Sequence, residues 1–155
     1  MPNVHIVNKA LSDKNGIGLL YSDKSGSGLA SLYKRRLEHF DIYLNHEEKI
    51  DLIRLDSFLT AERTIDYLKL DVEGSEMKVL IGSGELIKKI NLIQFEIGSQ
   101  NIDSKIFFQD FWYFFKVNNF DLFRISPAGP KKIDKYREND EHFRMSNYIA
   151  LNKAK

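Results

Sequence analysis

Four carboxylates occupy positions where they could do chemistry together. Asp71, Glu73 and Glu76 fall in the stretch TIDYLKLDVEGSEMKVL (64–80), and Glu96 stands near the end of the run NLIQFEI (91–97). The first stretch opens on Ile65, Tyr67, Leu68 and Leu70, halts at Asp71-Val72-Glu73-Gly74, and resumes as a helical pattern through Met77, Val79 and Leu80. An apolar run that stops at acids and a glycine before a helix is how an α/β protein builds a ligand crevice at the carboxyl ends of its strands. Acids two positions apart on a strand point to one side, so Asp71 and Glu73 are expected to share a pocket. Such a pair can orient a hydroxyl and take its proton. With Glu96 it could instead ligate magnesium in a metal-dependent hydrolase or phosphotransferase. A carboxylate near a helix start also has a purely structural use, stabilising the positive terminus, and this reading applies to Glu73 and more strongly to Glu76. Glu96 is read either as a ligand for substrate hydroxyls or as a structural hydrogen-bond acceptor.

The composition removes other chemistries. With no cysteine among 155 residues, a disulfide framework, a thiolate nucleophile and a cysteine-ligated zinc site are excluded. A net charge of +1 makes no electrostatic case for nucleic acid or an acidic membrane. The triplet Lys34-Arg35-Arg36 reads as a solvated helix face. The opening residues lack the apolar core of a secretory signal, and Ile106–Val117 is too short to span a bilayer, so a soluble, cytoplasmic protein is expected.

The elements that must position the acids follow from periodicity and turn chemistry. Alternation predicts a strand over Asn3–Leu11, a turn at Asn15-Gly16 and a return strand over Gly18–Ser22. Ser25–Gly28 reads as a mobile loop, Leu29–His39 as a short amphipathic helix, and Lys49–Leu55 as a strand followed by a helix capped by Asp56-Ser57 and running to Glu62. After the acidic turn come a helix from Ser75 to about Ile81, a break at Gly82-Ser83-Gly84, and the strand 91–97. Asp103–Asn118 is expected to be one helix, capped by Asp103 or Ser104, with Phe107, Phe111, Phe114 and Phe115 on one face. Phe120–Ile125 and Met145–Asn152 are the closing strands, joined by a polar loop over Lys131–Arg144 that is expected to hang over Asp71 and Glu96. The implied architecture is a single domain over residues 1–155 with a mixed, mostly parallel sheet and a C-terminal antiparallel hairpin.

The segments IDYLKLDVEGSEMKVLIGSGELI and NLIQFEIG resemble the central signature of the FkbM family of S-adenosylmethionine-dependent methyltransferases. NVHIVNKALSD resembles that family's third strand, IDLIRLDSFL the strand leading into the signature, and NNFDLFRI with SNYIALNK its terminal hairpin. The resemblance implies a Rossmann-like class I fold and methylation of a hydroxyl on a saccharide or polyketide-like acceptor. It implies that Asp71, Glu73 and Glu96 are catalytic, one acid facing the sulfonium end of the cofactor and another serving the acceptor. Ala10, Leu11 and Ser12 fall where adenine contacts are expected, and His142 and Arg144 where an acceptor or its phosphate would be held. The family's Gly-rich cofactor loop and ribose-binding acid have no counterpart in this sequence. The resemblance therefore implies an incomplete, N-terminally truncated domain that binds the cofactor weakly or not at all. A homodimer or partner chain that completes the sheet is then expected, and a non-catalytic fragment acting through such a partner is the remaining alternative.

Overall fold

The computed structural model describes residues 3–59 and 63–154, which build two sheets. The smaller contains β1 (Ala10–Leu11), β2 (Gly16–Ser22) and β3 (His46–Ile53) in the order β1-β3-β2, with β1 parallel and β2 antiparallel to β3. The larger contains β4 (Ile65–Leu70), β5 (Ile90–Ile97), β6 (Phe120–Ser126), β7 (Gly129–Ile133) and β8 (Ser146–Asn152) in the order β4-β5-β8-β6-β7. Among the described residues four α-helices accompany them: α1 (Leu55–Phe58), α2 (Glu76–Ile81), α3 (Gln100–Ser104) and α4 (Phe108–Val117). No helix among the described residues is long and apolar enough to cross a membrane.

The larger sheet is mixed, but it is not mostly parallel. Only β4 and β5 pair in parallel there, while β8 is antiparallel to both β5 and β6, and β7 is antiparallel to β6. The reason is the return path of β8, which enters between β5 and β6 and leaves those two running in the same direction without touching. β6 and β8 are antiparallel neighbours as expected, yet the sheet's edge on that side is β7, whose last three residues were expected to belong to the polar loop. Pro130 fits there because an edge strand can face its missing N–H outward.

Strand alternation sorts the larger sheet into two faces. Leu68, Ile93, Ala150 and Leu122 are successive register partners across it, and the last three are fully buried. Phe95 stacks at 5.1 Å on Phe111 of α4 and at 5.5 Å on Tyr148 of β8. Residues of α2 and α4 belong to this one core. The opposite face carries Tyr67 and Lys69, then Gln94 and Glu96, then Asn147, and it is partly exposed.

Several expected elements change once tertiary contacts act. The N-terminal strand shortens to Ala10–Leu11, and residues 3–9 are exposed. The predicted helix over Leu29–His39 does not form; a single 3-10 turn, Glu38–Phe40, is present instead. Ser31 exchanges two backbone hydrogen bonds with Tyr21 of β2, and its hydroxyl also accepts from the Tyr33 amide. A serine so engaged favours extended chain over helix. The helix after β3 begins at Leu55 with no side-chain cap, because Arg54 takes the Asp56 carboxylate; Glu62, its expected end, lies outside the described residues.

The long aromatic helix is split. Lys105 adopts a left-handed conformation (φ 56°) between α3 and α4, and Phe108, Phe111 and Phe115 form the buried stripe while Phe107 stays exposed. Neither Asp103 nor Ser104 caps α4. Glu141 does so from the late loop, accepting from the amides of Phe108 (3.0 Å) and Gln109 (2.8 Å), and from the Tyr136 hydroxyl at 3.1 Å. The loop thus folds onto α4 rather than over Asp71 and Glu96. Replacing Glu141 with Ala should cost about 1–2 kcal/mol in urea unfolding. It should also speed hydrogen exchange at the Phe108 and Gln109 amides, with Glu141→Gln losing less.

Candidate functional site

The four acids meet four different environments. Asp71 follows β4 with its side chain half exposed, paired to Lys69 at 2.8 Å. An exposed pair of this kind contributes little to stability and leaves the carboxylate accessible.

Glu73 does not share the side of Asp71. The chain leaves the strand before it, and Glu73 takes a left-handed conformation (φ 50°) followed by Gly74 at φ 100°. A Cβ on Gly74 would also press on the Gln100 carbonyl oxygen at 3.2 Å. The Glu73 carboxylate is bound by Arg35 at 2.6 Å, a pair whose side chains are only 18% and 6% exposed. Arg35 reaches Ser99 with its other terminal nitrogen (3.3 Å), and the Ser31 hydroxyl donates to the Glu73 carbonyl at 2.7 Å. This clamp joins the segment after β2 to the acidic turn. Beside it, a cavity of about 460 Å³ opens between residues 36–40 and α3, with Leu37, Ser99 and Asp103 in its wall.

Glu76 carries out the helix-start role considered for Glu73. It is fully buried, and its Oε1 accepts from the amides of Val72 (3.1 Å) and Gly74 (3.4 Å). Burial pushes its carboxyl above the usual carboxylate range, partly offset by the amides. Oε2 has no hydrogen-bond partner among the described residues.

Glu96 is the tuned acid. Desolvation, and then the nearby charge of Asp71, raise its pKa above the ordinary 4.5. A chain of hydrogen bonds fixes it: the Tyr67 hydroxyl donates to Gln94 (2.7 Å), the Gln94 amide to Asn147 (2.8 Å), and the Asn147 amide to the Glu96 carboxylate (3.1 Å). Every donor in this relay points toward the carboxylate, so each bond polarises the next. Asp71 and Glu96 therefore lie within electrostatic reach at the carboxyl ends of the parallel pair β4–β5. No group of three His, Asp or Glu residues among those described is arranged to hold a metal ion, since Glu73 faces Arg35.

None of the remaining expected site residues forms a hydrogen bond or ion pair with Asp71 or Glu96 among the described residues. Ala10 and Leu11 are half-buried in β1, and Ser12 is buried with its hydroxyl donating to Asp13. The Ser12 carbonyl packs so tightly on Gly82 that any Cβ there would come within 2.0 Å of it. His142 is half-buried with both ring nitrogens shielded and unpartnered among the described residues, and Arg144 is exposed. The residues absent from the sequence reading are Arg35, Ser31, Gln94 and Asn147. A polar Gln94 inside an otherwise apolar strand was a visible signal. Arg35 lay hidden in a basic triplet whose other members are exposed, Lys34 pairing with Glu47 and Arg36 reaching toward Asp103.

A family model described as Methyltransferase FkbM domain matches residues 3–122. No curated protein and no solved structure matches the chain.

Two measurements check the geometry. Arg35→Ala strands the largely buried Glu73 carboxylate and should destabilise the chain by roughly 3 kcal/mol in urea unfolding, with Arg35→Ala/Glu73→Gln recovering part of the loss. Glu96→Gln should be more stable than the parent at pH 7, because the folded chain disfavours the ionised carboxylate. That advantage should fade as pH falls through the raised native pKa and vanish below the ordinary 4.5, where both states of the parent are protonated.

Proposed function

The chain belongs to the FkbM methyltransferase family, and from that premise we propose that it transfers a methyl group from S-adenosylmethionine to a hydroxyl oxygen of a saccharide or polyketide-like acceptor. The observation that carries this reading is the pairing of Asp71 with a Glu96 whose pKa is raised, both at the carboxyl ends of adjacent parallel strands. In open α/β sheets that end of the strands is where ligands bind. β4, β5 and β6 run in one direction, and their connecting helices α2 and α4 share one core, which supports a Rossmann-like class I arrangement.

Methyl transfer to a hydroxyl asks for alignment and for a proton acceptor. S-adenosylmethionine, when bound, supplies an electrophilic methyl on a positively charged sulfur. The donor set fits a cation: Asp71 is an accessible carboxylate, and Lys69 is its sole ion-pair partner among the described residues. Glu96, its pKa raised by partial burial, is the base, and its Oε1 is oriented by Asn147 while the other oxygen remains available to an acceptor O–H. Arg35, Ser31 and Glu76 hold the turn that sets where Asp71 stands. Glu73 is read as a positioning residue on this account, because its charge is committed to Arg35.

Incubating the chain with radiolabelled S-adenosylmethionine and a panel of saccharides and hydroxylated polyketides tests the reading. Glu96→Gln should lower kcat by about 10²–10⁴-fold, flattening the acidic limb of the pH–rate profile. Asp71→Asn should act mainly on the cofactor's KM. Absence of methyl transfer across the panel, or a Glu96→Gln variant with parental kcat, would overturn the proposal.

A further inference from the structure

The β6–β7 hairpin contains an arrangement that neither folding nor the acid pair explains. Arg124 on β6 and Lys131 on β7 are direct register partners, so two cations stand opposite each other on neighbouring strands. Like charges in that relation destabilise a sheet. Adjacent Lys132 shows how the same hairpin relieves charge elsewhere, with Asp121 at 3.0 Å and Asp134 at 3.5 Å. Arg124 and Lys131 have no such ion pair among the described residues. The carboxylates nearby are otherwise engaged, Asp134 by Lys132 and Asp140 by the Arg137 amide at 2.9 Å.

Two cavities meet at this pair. One of about 300 Å³ adds Lys135 and Arg137 to its wall. The other, of about 630 Å³, adds Ser126, Ser146 and Asn147. Arg124 is half-buried and held at one terminal nitrogen by the Ser146 hydroxyl (3.2 Å), which leaves the rest of its planar donor fork free. An edge lysine alone could serve to block strand addition. That use accounts for Lys131 but not for a half-buried arginine placed opposite it.

We propose that Arg124 and Lys131 form an anion site, separate from the acid pair, that takes the phosphate or carboxylate of a small ligand. A bidentate guanidinium and an ammonium converging on one open space suit either oxyanion. Arg124 is the register partner of Tyr148 and shares a face with Leu122, so the site opens on the α4 side of the sheet, opposite Asn147 and Glu96.

Calorimetric titration at low salt of inorganic phosphate, glucose 1-phosphate, glucuronate and glucose, with no methyl donor present, tests the site. Saturable binding of glucose 1-phosphate or of glucuronate, but not of glucose, is expected, and the tighter of the two identifies the anionic group. Arg124→Gln and Lys131→Gln should each weaken that binding at least tenfold, while Lys49→Gln on β3 leaves it unchanged. Both substitutions remove one of two opposed cations, so the variants should unfold in urea at no lower a midpoint than the parent. Binding that is absent, or that falls equally with Lys49→Gln, would overturn the proposal.

Discussion

The ion pair between Arg35 and Glu73 is the contact on which the arrangement of the site depends. It closes a turn in which Glu73 itself sits in the left-handed region, a conformation that costs an L-residue about 1–2 kcal/mol. Three contacts offset that cost: the charged pair, the Ser31 hydroxyl on the Glu73 carbonyl, and Glu76 reaching back to the Val72 and Gly74 amides. The pair also ties the long segment after β2 to the end of β4. Without it, the exit of the chain from β4 would be held only by the Ser31 and Glu76 hydrogen bonds.

The acids show how burial and partners divide roles among chemically similar groups. Glu73 is neutralised by a cation and shapes the chain. Glu76 is enclosed and satisfies amides that would otherwise be orphaned before α2. Asp71 keeps a weak, solvated partner. Glu96 is partly desolvated beside the charge of Asp71 and, unlike the fully buried Glu76, combines a raised proton affinity with partial exposure. Environments that push neighbouring carboxylates apart in proton affinity are how one site can hold a fixed charge and a base together.

The insertion of β8 between β5 and β6 has consequences beyond topology. It places Asn147 beside Glu96, and so completes the relay from Tyr67. It places Tyr148 against Phe95 on the opposite face, and so ties the same strand into the core. A single strand thus couples core packing to the orientation of Glu96.

The sequence by itself determined the features that depend on local pattern. The apolar runs of β4, β5, β6 and β8, the acidic turn, and the helix from Ser75 are all written in alternation, glycine placement and amphipathic spacing. Asp71 and Glu96 were legible as candidate site residues because each ends or nearly ends an apolar run. Tertiary structure decided whatever depends on a partner distant in the chain. The helical spacing of Leu29, Leu32 and Leu37 lost to hydrogen bonds from Ser31 to Tyr21 and Glu73, which no local window contains. Arg35 became buried, and Glu73 structural, only because residues 38 positions apart meet. The cap of α4 came from Glu141, 33 residues away. Periodicity reports which face of an element is apolar, but not which distant polar group will satisfy its ends, because that pairing exists only after the chain has closed on itself.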